Sequence, residues 1–124
     1  MANPNIVSVA SIYGKTVYDT DIAASAASLV SNAASSGKIY KINSLIIANI
    51  DGSNSADITV TLRNAAGGTT YSTLANTVAV PADATLIIVS KDTSIYLEED
   101  MSLYVLASAA GDLSATCSYE EISE

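Results

Sequence analysis

Apolar side chains recur at every second position through several separate stretches of this chain, and clusters of Gly, Asp, Asn, Ser and Pro interrupt them about every 8–14 residues. A period of two is the repeat of a pleated strand, so the chain must bury one face of many short strands against another such layer. Between residues 38 and 50 the even positions read Tyr40, Ile42, Ser44, Ile46, Ala48 and Ile50, with Lys41, Asn43 and Asn49 at odd ones. That spacing predicts a strand with its even face in the core. Asp51-Gly52-Ser53-Asn54-Ser55 follows as a turn. Ile58, Val60 and Leu62 then alternate with Thr59, Thr61 and Arg63, in a strand expected to pair antiparallel with its predecessor.

Residues 70–80 predict one or two short strands, closed by Pro81-Ala82-Asp83. Leu86-Ile87-Ile88-Val89 is apolar throughout, the pattern of a central strand covered on both faces. Ile95-Tyr96-Leu97 runs into the acidic corner Glu98-Glu99-Asp100. Leu103, Val105 and Ala107 share one face of a further strand, as do Leu113, Ala115, Cys117 and Tyr119 in the last one. Residues 21–36 admit two readings. Ile22, Ala26, Leu29 and Ala33 form a helical stripe with Asp21 as N-cap, yet Ala, Ser and Val equally suit a strand entering a Ser35-Ser36-Gly37 hairpin turn. The strand reading is adopted, because residues 38–50 need a partner. No fixed-period repeat is present, which excludes a solenoid or propeller. The expected fold is a single all-β domain, an antiparallel β-sandwich of Greek-key or jelly-roll kind over residues 12–124. Residues 1–11 are expected to form an extended N-terminal arm or an edge strand.

Composition removes whole classes of function. The 124 residues include no His, Trp or Phe and one Cys, so the commonest general base and zinc ligand are missing, and no disulfide framework or paired-cysteine site can form within the chain. The net charge of −8 opposes binding to a phosphate backbone, and no nucleic acid partner is expected. No apolar run approaches the ~20 residues of a membrane span, and the N-terminus lacks the basic and apolar regions of a secretory signal. A hydrophobic content of 49% argues against disorder.

The motifs that could carry chemistry are weak. Gly14-Lys15-Thr16 has Val9 where a phosphate-binding loop needs its first Gly. Asp51, Ser53, Ser55 and Asp57 place an oxygen at every second position, as at the start of a calcium loop, but Leu62 stands where the bidentate Glu belongs. Glu98, Glu99 and Asp100 could support glycoside chemistry only if one were held protonated in an apolar site, and three acids at a turn ordinarily face water. Serine has no His in the chain to activate it, and Cys117 lies on the apolar face of its strand as a small buried hydrophobe. Tyr40 and Tyr119 share the parity of apolar neighbours and belong to the core. Tyr96 and Tyr104 share it less and are candidate interface residues. No catalytic constellation and no cofactor site is expected.

Three stretches carry a resemblance. They are Ser35-Ser36-Gly37-Lys38-Ile39-Tyr40-Lys41-Ile42-Asn43-Ser44 with Ile46-Ile47-Ala48-Asn49; Val80-Pro81-Ala82-Asp83 with Ile95-Tyr96-Leu97-Glu98-Glu99-Asp100-Met101; and Ala107-Ser108-Ala109-Ala110-Gly111-Asp112-Leu113 with Ser118-Tyr119-Glu120-Glu121-Ile122. Together, from about Ile12 onward, the chain resembles the small β-sandwich structural proteins of tailed phages of marine and cyanobacterial hosts. The resemblance implies a virion component without enzymatic activity, assembled in the host cytoplasm and bound outside the capsid shell as a head decoration, or cement, protein. It implies the major capsid protein or other virion proteins as partners, and a homo-oligomer, often a trimer. Similar chains belong to the neck, tail or fibres, and a carbohydrate- or receptor-binding sandwich is the alternative. Asn3, Pro4, Asn5, Ile6 and Val7 are expected to pair with a neighbouring subunit by strand addition.

Overall fold

The computed structural model of the chain describes residues 3–124. Nine strands follow one another: β1 (Ser11–Asp19), β2 (Ala27–Asn32), β3 (Lys38–Asn49), β4 (Ala56–Arg63), β5 (Thr70–Val80), β6 (Thr85–Val89), β7 (Ile95–Leu97), β8 (Met101–Ala107) and β9 (Leu113–Ser123). One sheet runs β1-β9-β3-β6, with β7 also on β3, and the other runs β2-β8-β4-β5. Every pairing is antiparallel. With the short β7 set aside, β8 and β9 become the seventh and eighth strands, and the sheets read 1-8-3-6 and 2-7-4-5. This is the strand order of a jelly roll, two Greek keys wound into a sandwich.

The all-β sandwich is therefore as the alternation implied. Ile42, Leu45, Ile47, Leu97, Leu113 and Cys117 from the first sheet meet Ile58, Val60, Val80, Leu103 and Val105 from the second, all at most 1% exposed. Each large aliphatic side chain so buried contributes about 1.5–3 kcal/mol. Ile22, 0% exposed, plugs one end from the connection before β2, held by its N–H to the Leu113 carbonyl at 2.8 Å.

Four expectations need correction. The even-position reading of β3 holds through Ile42 and then inverts: Leu45, Ile47 and Asn49 are buried and Ile50 is 57% exposed. Asn43 is an extra residue opposite β9, between the Ile42–Tyr119 and Ser44–Ser118 pairs, and a bulge of one residue exchanges the faces beyond it. β3 and β4 do not pair, because the polar loop between them carries the chain from one sheet to the other. Residues 21–36 do yield a strand, but β2 pairs with β8 rather than hairpinning onto β3. Finally, β6 is an edge strand, not a central one, and Ile87 is 61% exposed.

Two buried asparagines stitch the layers at separate places. Asn32, at the end of β2, donates its amide to the carbonyls of Lys38 at 2.9 Å and Leu97 at 3.0 Å, both in the opposite sheet. Asn49, at the end of β3, donates to the carbonyls of Asn54 at 2.9 Å and Val80 at 2.8 Å and accepts the Asp51 N–H at 2.8 Å. Removing either amide leaves backbone carbonyls unpaired in a site that excludes water. Asn32→Ala and Asn49→Ala are each expected to lower the unfolding free energy by about 2–3 kcal/mol with an unchanged denaturant slope, measured by urea titration.

Candidate functional site

The first described residues belong to neither sheet. Residues 3–10 turn back as a strap across one end of the first sheet. The Ala10 N–H donates to the Ser123 carbonyl at 2.9 Å, and the Asn5 N–H to Oε1 of Glu124 at 2.8 Å, both at the end of β9. The Asn3 side chain donates to Glu98 and accepts the Glu99 N–H at 3.4 Å, both just past β7. Those anchors lie on either side of β3, so the strap crosses the outer face over β9 and β3. There Ile122 and Ile39 sit opposite each other in register and are only 5% and 7% exposed, although neither joins the central core. Pro4 is buried, Ile6 is 51% exposed and Val7 is 91% exposed. An apolar row at outward parity was the sequence signal for such a cover. Met1 and Ala2 of the expected arm lie outside the described residues.

Beside the strap, β1 forms the outer edge of its sheet, paired through nine residues with β9 from Ser11–Ser123 to Asp19–Ala115 without a register break. It carries Ile12, Tyr13 and Tyr18 at 55%, 58% and 70% exposure. On its core-facing side, where the sandwich opens to solvent, Glu121 is 7% exposed between two cations. Lys15 Nζ lies 2.8 Å from one carboxylate oxygen and Lys38 Nζ 3.1 Å from the other. The hydrogen bond from Lys15, outweighing burial, and that from Lys38 hold the Glu121 carboxyl below its ordinary value. Burial, then the Glu121 charge, pushes the Tyr40 hydroxyl up to about 12, and the Tyr40 ring leans on Tyr119 with centroids 5.2 Å apart. The charge cluster escaped the sequence reading, although a carboxylate at the parity of Cys117 and Tyr119 signals a paired partner.

The remaining candidates separate. Tyr96 is 41% exposed on the outer face of β7. Tyr104 is half-buried: the Arg63 guanidinium stacks 4.9 Å from its ring centroid, and a Cβ added at Gly67, φ +84°, would sit 2.2 Å from its hydroxyl. Asp51 Oδ1 accepts the Ser53 N–H at 2.8 Å and the Asn54 N–H at 3.3 Å, an Asx turn that holds its carboxyl low. Ser53 thus supplies its backbone N–H to the turn, Ser55 donates its hydroxyl to the Val80 carbonyl at 3.3 Å, and Asp57 starts along β4. Among the described residues, no group of three or more His, Cys, Asp or Glu is placed to hold a metal. The corner acids also diverge: Glu99 accepts the Gly37 N–H at 3.2 Å, Asp100 the Ala65 N–H at 3.1 Å, and Glu98 the Asn3 amide. Cys117 is fully buried, and burial pushes its thiol up to about 12, far from a reactive thiolate.

No protein-family profile and no curated protein matches the chain. Among solved structures it is similar to a protein of Bacillus endospore appendages, which form disulfide-linked pili, with 19% identity and a TM-score of 0.53 over 91% of this chain and 88% of that one. It is also similar to the infectious bursal disease virus T13 particle protein, at 11% identity and a TM-score of 0.48, and to the VP2 subviral particle of that virus, at 14% and 0.45. Both of these matches cover 94% of this chain but only 32% and 34% of the viral ones, so the chain spans about a third of their length. At 19% identity the likeness to the appendage protein is one of fold.

The Lys15–Glu121–Lys38 group has a consequence for acid stability. A carboxyl held low in the folded state stabilises fully above the unfolded value, near 4.5, and that contribution is lost as pH falls through the folded value. Glu121→Gln is expected to cost about 1 kcal/mol at neutral pH, given the solvent-exposed lysine ends, with the melting difference from wild type closing below pH 4.5. Calorimetry across a pH series measures it.

Proposed function

We propose that this chain is a non-enzymatic structural subunit of a virion, and specifically a head decoration protein that binds the outside of a capsid shell. One observation carries the reading: a stitched, rigid jelly roll presents an apolar strap, Ile6 and Val7, uncovered beside its own outer face. A side chain 91% exposed and held next to a buried Pro4 anchor is a surface for a neighbour rather than for the chain's own core. The carboxylates support the same reading, since those of the acidic corner and of the Asp51 loop are engaged by amide donors and Glu121 by two amines. The pilus neighbour is disulfide-linked, whereas Cys117 is buried and offers no exposed thiol for such a link. Attachment here is non-covalent, by strand addition and close contact of small residues, and many equivalent sites on a shell make weak single contacts sufficient.

Quantitative mass spectrometry of purified tailed particles tests the assignment. A copy number comparable to that of the shell protein is expected, a few copies per particle would move the chain to the neck, tail or fibres, and absence from particles would overturn the reading. Val7→Asp, at a position that leaves the fold untouched, is expected to abolish attachment to the shell with an unchanged melting temperature; undiminished attachment would remove the strap from the interface.

A further inference from the structure

Two open sheets leave four edges, and three of them are blunted. β2 has six residues and a register break between Ser28 and Val30. β5 breaks register three times against β4 and carries Thr77 at φ +48°. β6 and β7, five and three residues long, share an edge that the Lys91–Thr93 turn interrupts. Breaks, bulges and short lengths are among the devices by which edges avoid pairing with other chains, edge charges being another. β1 has none of these three; the one Lys near its middle, Lys15, is drawn 2.8 Å from Glu121 of the neighbouring β9. The strand is nine residues long, regular, apolar at Ile12, Tyr13 and Tyr18, and no described strand pairs with its outer side.

We propose that the β1 edge pairs with β1 of a second copy of this chain about a two-fold axis, joining the two first sheets into one. The occupant follows from the other edges, because β1 is the one edge of matching length and regularity that a second copy offers. A two-fold axis normal to the sheet makes the strands antiparallel and keeps core-facing sides together. Centred on Lys15, it sets Ile12 opposite Tyr18 and Tyr13 opposite Val17 of the second copy, β-branched residues against aromatics, which are favourable cross-strand pairs. It also sets the two Lys15 side chains opposite each other, a like-charge pair that the Glu121 carboxylate 2.8 Å from each amine offsets.

Charge favours this edge as well. Of the five Lys and Arg residues, Lys15, Lys38 and Lys41 lie on β1 and β3, flanking Glu120 and Glu121 of β9. The net charge of −8 therefore comes from the remainder of the surface, and this is the stretch where two copies meet without opposing acids. A three-fold ring would instead need a head-to-tail edge pair, for which the interrupted β6 and β7 are poorly suited.

The association needs only this chain, so it stands or falls separately from the virion reading. Sedimentation of the purified protein over a micromolar-to-millimolar series is expected to show a dimer of twice 12.7 kDa. Ile12→Lys with Tyr18→Lys is expected to weaken dimerisation more than about tenfold, while Tyr71→Lys on the blunted β5 edge leaves it unchanged. Hydrogen exchange on the wild type, which needs no variant to fold, is expected to show β1 amides gaining protection as concentration rises. A wild type monomeric throughout, a trimer or open polymer, a charged β1 variant that dimerises like wild type, or concentration-independent β1 exchange would each overturn the proposal.

Discussion

An open β-sheet always ends in two strands whose outward N–H and C=O groups have no protein partner, and water is a weaker organiser of them than another strand. The jelly roll multiplies this constraint, because two sheets carry four such edges. Much of the irregularity in this chain answers it. The bulge between Ser28 and Val30, the three breaks along β5 and the turn that splits β6 from β7 each cost ladder hydrogen bonds. Each also keeps a second chain from extending the sheet there. Irregularity spent at three edges gives meaning to its absence at the fourth.

The core was legible in the sequence because burial and parity coincide wherever a strand stays regular. Ile58, Val60, Leu103, Val105, Leu113 and Cys117 all face inward as their spacing implies. Parity failed at Asn43, where one additional residue reverses the faces of β3. Nothing in the side chains marks that position, since Ile46 and Ile47 are adjacent and equally apolar. A bulge is a property of the backbone pairing, and it becomes visible only against the opposing strand. The partner of each strand was equally hidden. A polar loop such as residues 51–55 can close a hairpin or cross between sheets with the same residues, and the long-range choice belongs to the packed whole.

The candidate site was legible in pieces. The segment containing Ile6 and Val7 was expected as an extended arm or an edge strand, and it lies as an anchored strap across its own sheet. Tyr104 was read as an interface residue; that the Arg63 guanidinium stacks on its half-buried ring and Gly67 packs at its hydroxyl depends on a hairpin whose geometry no local pattern encodes. The oxygen-rich stretch from Asp51 to Asp57 had ligand-like spacing, but Asp51, Ser53 and Ser55 lie in the loop before β4 and only Asp57 is on the strand. Its first carboxylate is consumed by the Asx turn that starts the loop.

Electrostatics and hydrogen bonding divide the work of recognition in this molecule. At physiological ionic strength charges are felt over about 8 Å, so an approaching acidic surface is repelled by the face it will touch and not by the molecule as a whole. Burial, then the neighbouring Asp51, raises the Asp112 carboxyl, and the charge of Asp21 adds to that effect. That end of the sandwich therefore turns away another acidic surface. The ladder of Lys15, Lys38 and Lys41 against Glu120 and Glu121 is close to neutral and does not. Repulsion selects the orientation in which two such chains can come together, and the unpaired backbone of β1, regular over nine residues, supplies the directional bonds that hold them once they do.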